Sequence, residues 1–398
     1  MLANTLFLQG SVAMLTVMQI VGNSVIGGTE NHVLDLMQGL EKSGVNVEVI
    51  CPRPGPLSEQ LARLDIRAQF VEMVHPWINE DYLLDRDAIS NLSSLIKKKR
   101  PDVVHSHLYP AYLHASLAAK ETGVRAIVNT AHNGVIRPRD ALLSHMTGAH
   151  TIAISQGIAH LLRSVGVPEQ SIEVIYKGIG PEHFEDDIEA LQRLRAELGL
   201  ESRLIIGTST RLSQEKGVDS FLYAMRQVTD IYPDIIGLII GDGPQATELG
   251  HLADELGLQD TVHFLGTRKD IPVLNRLLDI FVLPSRRETF PMTLLEAMAA
   301  SRTVIATNVG GTTEVITHAV DGWLIPPDDP WALSKAILML LKHPARRAAM
   351  GAVAHRKVVS HFSRDRMVQQ TLAFYEHLLG MSSRPELLWF PSLWLSRR

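Results

Sequence analysis

Residues 203–244 read RLIIGTSTRLSQEKGVDSFLYAMRQVTDIYPDIIGLIIGDGP. An aliphatic run near 203–208 leads into a loop carrying Arg211 and Lys216, then a helical segment near 217–231. A second aliphatic run at 235–240 stops at Gly-Asp-Gly-Pro. Two strands joined through a helix run parallel, and the right-handed crossover lays that helix on a face of their sheet. Parallel sheets are covered on both faces, so this stretch predicts an α/β fold.

The pattern extends in both directions. Downstream, strands are expected near 261–265, 279–283 and 303–306, with helices near 244–256, 290–300 and 330–342. Upstream, strands are expected at 15–21, 45–50, 66–71, 102–105, 125–130, 150–154 and 171–176. The segment 29–42 reads as a helix, because Val33, Leu36, Met37 and Leu40 share one face. Near Gly180–Asp187 the strand-like SIEVIY gives way to KGIGPEHFEDD, which is rich in Gly, Pro and acids. The expected organisation is therefore two Rossmann-like, doubly wound domains facing across a cleft, with ligands at the carboxyl ends of the strands. The N-terminal domain is placed at 1–182, with 1–14 an extension, and the C-terminal domain at 183–365. Residues 366–398 form a C-terminal helix, packing back on the N-terminal domain, and an apolar tail.

Composition narrows the classes. The chain has 398 residues, 45% hydrophobic and 20% charged, with a net charge of −5, so no global basic field favours nucleic acid. One cysteine, Cys51, excludes an intrachain disulfide or a Cys-rich zinc site and fits a reducing compartment. No apolar run reaches the roughly 18 residues of a spanning helix, and no export signal is expected, because no charge precedes Glu30. The tail instead carries Trp389, Phe390 and Trp394 ahead of Arg397 and Arg398, and Lys97–Arg100 is a basic run. Packing or a solvated helix end would account for them, and so would reversible contact with an anionic membrane surface.

Chemistry concentrates in four loops after strands of the second half. SRRETFPMTLLEAMAA, 285–300, places Glu288 in a loop and Glu296 on the following helix. Carboxylates accept hydrogen bonds from vicinal hydroxyls, and a helix N-terminus accommodates an anion. Arg211 and Lys216 ahead of another helix suit a diphosphate. GDGP at 241–244 and GGTTE at 310–314 mark the other two loops. Gly241, Gly243 and Ala246 fit G-x-G-x-x-A, but Gly266 and Thr267 stand where a dinucleotide site needs an acid, which disfavours NAD. His105 and His107 alternate along a strand and would need a third partner to hold a metal.

These motifs, in this order, resemble the family 4 glycosyltransferases, the retaining group of GT-B fold with paired glutamates. The likeness covers about 15–375. GGTENHVLDLMQGLEKSGVNVEVI, RPDVVHSHLYPAYLHASLAA and VNTAHN resemble the N-terminal motifs, and TRLSQEKGVD, IIGDGP, ETFPMTLLEAMAA and VGGTTEVI the donor-domain series. The resemblance implies that Arg211 and Lys216 hold the donor diphosphate, that Glu296 binds the ribose, and that Glu288 lies by the transferred sugar. It places Gly241, Phe290, Pro291 and Met292 at the donor, Gly27 and Gly28 in a loop over it, and His132 near the anomeric carbon. Pro291 departs from a common glycine and has no N–H to donate. KGIG at 177–180 and Ser301 depart as well.

The implied enzyme moves a sugar from a nucleotide diphosphate sugar to an acceptor hydroxyl in polysaccharide or glycolipid synthesis. It needs no metal or cofactor. Its implied partners are the nucleotide-sugar donor, a sugar or lipid-linked acceptor and an anionic membrane surface, and no nucleic acid. Its expected location is cytoplasmic, peripheral on the membrane face. The alternatives are a nucleotide-sugar epimerase of the same architecture and a non-catalytic glycosyltransferase-like subunit.

Overall fold

The computed structural model describes residues 14–73, 84–180, 182, 187–200 and 203–381. The expectations for 1–13, for most of the 75–85 loop and for the tail at 384–398 lie outside the described residues. Two compact units divide the rest. The first holds described residues of 14–131, 139–152 and 370–381, and the second those of 132–138 and 153–369.

Seven strands make the first sheet: β1 (Thr16–Val21), β2 (Asn46–Cys51), β3 (Ala68–Phe70), β4 (Val103–His107), β5 (Ala126–Ala131), β6 (His150–Ala153) and β7 (Ile172–Val174). Their order is β3-β2-β1-β4-β5-β6-β7. β1 pairs in parallel with β2, Thr16 opposite Asn46, and with β4, Val17 opposite Val103. All five residues of β4 and all six of β5 are buried, as strands covered on both faces must be. One face packs Val33 and Met37 of the helix Gly28–Lys42 against Val21 and Val49, and the other packs Leu92, Tyr112 and Ala115 against Met18 and Val104.

The helix Arg86–Lys99 shows how local chemistry sets its ends. The Asp85 carboxylate accepts from the Asp87 and Ala88 N–H groups. Lys97, Lys98 and Lys99 fill the last turn, where the dipole favours cations, and Arg100 closes it in a left-handed conformation ahead of Pro101. Lys99 also pairs with Glu48 of β2 at 2.8 Å, so part of the basic run is engaged within the fold.

β1 and β4 carry a buried polar chain. Gln19 Oε1 accepts from His107 Nε2 at 2.7 Å, and Gln19 Nε2 donates to the Tyr375 hydroxyl at 3.3 Å. The phenol donates to His105 Nδ1 at 2.5 Å, which leaves His105 Nε2 to donate to Thr130 Oγ1 at 2.7 Å. Burial, reinforced by His107 and His32, holds the His105 pKa well below the usual imidazole range, so the ring is neutral. Among the described residues no three His, Cys, Asp or Glu side chains gather as metal ligands. The two strand histidines thus serve a hydrogen-bonded core that ties the helix Arg364–Leu378 to the sheet.

The second sheet comprises β8 (Leu204–Ser209), β9 (Ile235–Ile240), β10 (Val262–Gly266), β11 (Ile280–Leu283), β12 (Thr303–Thr307) and β13 (Trp323–Ile325). Its order is β10-β9-β8-β11-β12-β13, so both sheets reverse direction of growth beside their first strand. The reversal lies between β8 and β11, where Ile280 pairs with Ile206. The core here joins Ile206, Ile239 and Val282 to Phe221 and Met225 of the helix Val218–Thr229 and Ile337 and Leu340 of the helix Pro330–Lys342.

Candidate active site

The loops that follow β8 and β11 flank the point where the second sheet's strand order reverses, the usual place for a ligand in such sheets. Lys216 and Glu288 meet there, with Nζ–Oε1 at 2.6 Å and the Glu288 side chain only 7% exposed. The same Oε1 accepts from Ser285 Oγ at 2.8 Å, and the Ser285 carbonyl accepts from Thr307 Oγ1 at 2.5 Å. Arg286 staples the two loops together. Its guanidinium donates to Asp219 at 2.7 Å, Asp328 at 2.6 Å and the Gln214 carbonyl at 2.7 Å, while its backbone N–H donates to the Glu215 carbonyl at 2.8 Å.

The other two loops press against these two through their glycines. At Gly241, φ is +132° and a Cβ would stand 1.9 Å from the Thr210 carbonyl oxygen. At Gly310, φ is +46° and a Cβ would stand 1.7 Å from that of Glu288. No side chain other than hydrogen fits either position. GDGP therefore shapes the Arg211 loop, and GGTTE shapes the glutamate loop.

Phe290 is buried and Pro291 begins the helix Met292–Ala299, which no side chain caps. Its first intrahelical bond runs from Leu295 N–H to the Pro291 carbonyl at 3.3 Å. The N–H groups of Met292 to Leu294 thus remain for an anion at the positive end of the dipole. Pro291, the residue before that helix, contributes its carbonyl and has no N–H to add. Glu296 follows one turn later, half-buried. Burial pushes its carboxyl up to about 7, and the nearby Glu182 charge adds to the rise.

Lys216, Gly241, Glu288, Phe290, Pro291, Met292 and Glu296 thus belong to adjoining loops and helix starts of one sheet. Arg211 shares the loop after β8; it is exposed and makes no ion pair among the described residues. The Lys216 ammonium is committed to a carboxylate. His132 follows β5 and is buried. Gly27 and Gly28 open the helix Gly28–Lys42 in the first unit. Nothing lies within 4 Å of where a Cβ on Gly28 would stand.

Sequence reading passed over four residues. Ser285 and Arg286 lie inside the quoted 285–300 stretch, and Glu314 ends GGTTE, but none has a meaning until its partner is known. Glu314 accepts from the backbone N–H groups of Gln156 at 2.7 Å and Gly157 at 2.9 Å, and from the Tyr176 hydroxyl at 3.0 Å. Tyr176 had no signal at all.

Two family models match the chain: "Glycosyltransferase Family 4" over residues 26–183 and "Glycosyl transferases group 1" over residues 192–357. The Escherichia coli UDP-Gal:alpha-D-GlcNAc-diphosphoundecaprenol alpha-1,3-galactosyltransferase is 26% identical over 321 residues, 77% of this chain and 82% of its own length. The N-acetyl-alpha-D-glucosaminyl L-malate synthase of Bacillus anthracis is 28% identical over 303 residues, 73% and 78% respectively. Among solved structures, a glycosyltransferase from Rickettsia africae ESF-5 superposes with a TM-score of 0.82 at 24% identity, covering 93% of this chain and 100% of its own.

Proposed function

Because this chain belongs to glycosyltransferase family 4, an enzyme family of GT-B fold, we propose that it moves a sugar from a nucleoside diphosphate sugar to an acceptor hydroxyl with retention at the anomeric carbon. The Lys216–Glu288 pair at the reversal of the second sheet, beside the uncapped start of the helix Met292–Ala299, carries this reading. A cation and open N–H groups suit a diphosphate, and carboxylates suit sugar hydroxyls. In this reading Glu296 takes the ribose, and Glu288 turns from Lys216 toward the transferred sugar as the diphosphate claims the ammonium. The family resemblance assigns His132 a place near the anomeric carbon and Gly27 and Gly28 a loop over the donor.

The bond that breaks joins the anomeric carbon to the donor phosphate oxygen, and its electron pair leaves with the nucleoside diphosphate. Arg211 and Lys216 stabilise the charge growing on that oxygen more in the transition state than in the ground state. The acceptor oxygen bonds to the same carbon from the same face, and its proton passes to the departing phosphate. No metal enters this scheme, because the two cations supply the electrostatic stabilisation.

The Escherichia coli relative is named for a lipid-diphosphate acceptor, which supports a lipid-linked acceptor here and a peripheral site on the cytoplasmic membrane face. No described helix is long and apolar enough to cross a membrane. The deciding experiment screens UDP, GDP and ADP for thermal stabilisation, then follows the fate of matching nucleotide sugars. A ligand at 100 times its Kd adds about 2.7 kcal/mol. Stabilisation with transfer or slow hydrolysis is expected; an epimerised sugar, or no response to any nucleotide, would overturn the reading.

A further inference from the structure

The Glu314 carboxylate receives three donors and no cation among the described residues. Two are the first N–H groups of the helix Gln156–Ser164; the third N–H of that helix, on Ile158, is taken by Ser155 Oγ at 3.2 Å. The remaining donor is the Tyr176 hydroxyl. Tyr176 stacks on Phe290 with ring centroids 5.5 Å apart and planes 25° apart, and Phe362 closes on both rings at 5.5 and 6.0 Å. From the other side, Gly310 and Gly311 pack under the Glu288 and Thr289 carbonyls, with the Gly311 N–H donating to Glu288 O at 3.3 Å. The contacts close a circuit: Phe290 to Tyr176, Tyr176 to Glu314, Glu314 through the short helix Thr312–Val315 to Gly311, and Gly311 back to the 288–289 backbone.

We propose that Glu314 and Tyr176 are positioning residues that hold the 288–290 loop in register for the sugar of the donor, while the nucleotide is gripped without them. The proposal rests on the donor reading above. Three donors converging on one group require an acceptor that donates nothing, and among side chains only a carboxylate meets that requirement. A glutamine there turns its NH2 toward at least one of them. An aspartate is shorter by a methylene and cannot reach both the helix start and the phenol. Neither residue touches Lys216, Arg211 or Glu296, which lie outside the circuit.

The test compares bare nucleoside diphosphates with their sugar-bearing forms, UDP against UDP-galactose and GDP against GDP-mannose, in Glu314→Ala, Glu314→Gln, Tyr176→Ala and Tyr176→Phe. Glu314→Ala and Tyr176→Ala should weaken the sugar-bearing ligand at least tenfold and the bare diphosphate less than threefold. Tyr176→Phe keeps the ring stack and should lose about threefold on the sugar-bearing ligand alone. Glu314→Gln should fall between. Hydrogen exchange needs no ligand: Glu314→Ala should raise exchange at 156–158 and at 288–290 together. Equal losses for both ligand forms, no loss for either, or faster exchange confined to 156–158 would overturn the positioning role. Should Glu314→Ala fail to fold, the contrast between Tyr176→Phe and Tyr176→Ala decides alone. Wild-type protein that binds none of the diphosphates would overturn the donor reading instead.

Discussion

Glu296 links its residue chemistry to pH. Its carboxyl is raised to about 7 in the folded chain by burial and then by Glu182. The folded state therefore holds this proton more tightly than the unfolded chain does. The stability this proton confers is fully present below the ordinary carboxylate range and is lost as pH rises through about 7. Ligand binding has the opposite sense. Ribose hydroxyls favour the ionised acceptor, so diphosphate binding should release a proton near pH 6 and tighten as pH rises to about 7. Calorimetry in buffers of different ionisation enthalpy reads that release. Glu296→Gln should remove it and weaken binding about tenfold, the worth of a charged hydrogen bond; unchanged proton release in the variant would refute the assignment. The two cations separate by a different criterion. Arg211 is exposed and Lys216 neutralises a buried carboxylate. Either change to Ala should lower turnover about 10²-fold. Only Lys216→Ala should also lower stability, by about 1–3 kcal/mol, because the buried Glu288 carboxylate loses its cation and, among the described side chains, is left with Ser285. Thermal melts beside single-turnover rates distinguish the two.

At the scale of elements, strand ends and loops do the work that motifs announce. The strand-to-helix junctions after β8 and β11 are tied by Arg286, and the junctions after β9 and β12 buttress them through Gly241 and Gly310. Gly310→Ala adds a left-handed penalty of about 1–2 kcal/mol to a carbonyl contact that forces the 288–289 backbone aside. We expect a loss of at least 2 kcal/mol in melts of the whole chain, with donor affinity falling as Glu288 moves. A Gly310→Ala protein with wild-type Tm and affinity would show that the loop adapts. Ser301 follows the helix Met292–Ala299 at φ +59°, a conformation in which glycine is the relaxed choice. The resemblance had marked that position as a missing glycine. The expected strands 66–71 and 171–176 shrink to the three-residue β3 and β7, which are the edge strands of the first sheet and have a pairing neighbour on one side only. β13 was not foreseen, because three residues, Trp323–Ile325, are too few for a periodic signal.

For the whole molecule, the property to test is attachment to a membrane surface. We expect full-length protein to co-sediment with anionic vesicles at low salt, with each surface cation adding about 1 kcal/mol. Removing 384–398 should reduce that binding and leave donor hydrolysis intact; full-length protein remaining in the supernatant would point to a soluble acceptor. What the sequence determined by itself is the layered α/β plan, most strand boundaries to within a few residues, and four marked loops that the fold brings side by side at one sheet. Alternating aliphatic runs and amphipathic helices encode these locally, and glycine, proline and charge punctuate them. Tertiary structure alone decided which polar groups meet. Lys216 and Glu288 are 72 positions apart, Gln156 and Glu314 are 158 apart, and His105 and Tyr375 are 270 apart. No local pattern records such pairs, because side-chain pairing depends on strand order, and strand order is set by how the helices cover both faces of each sheet.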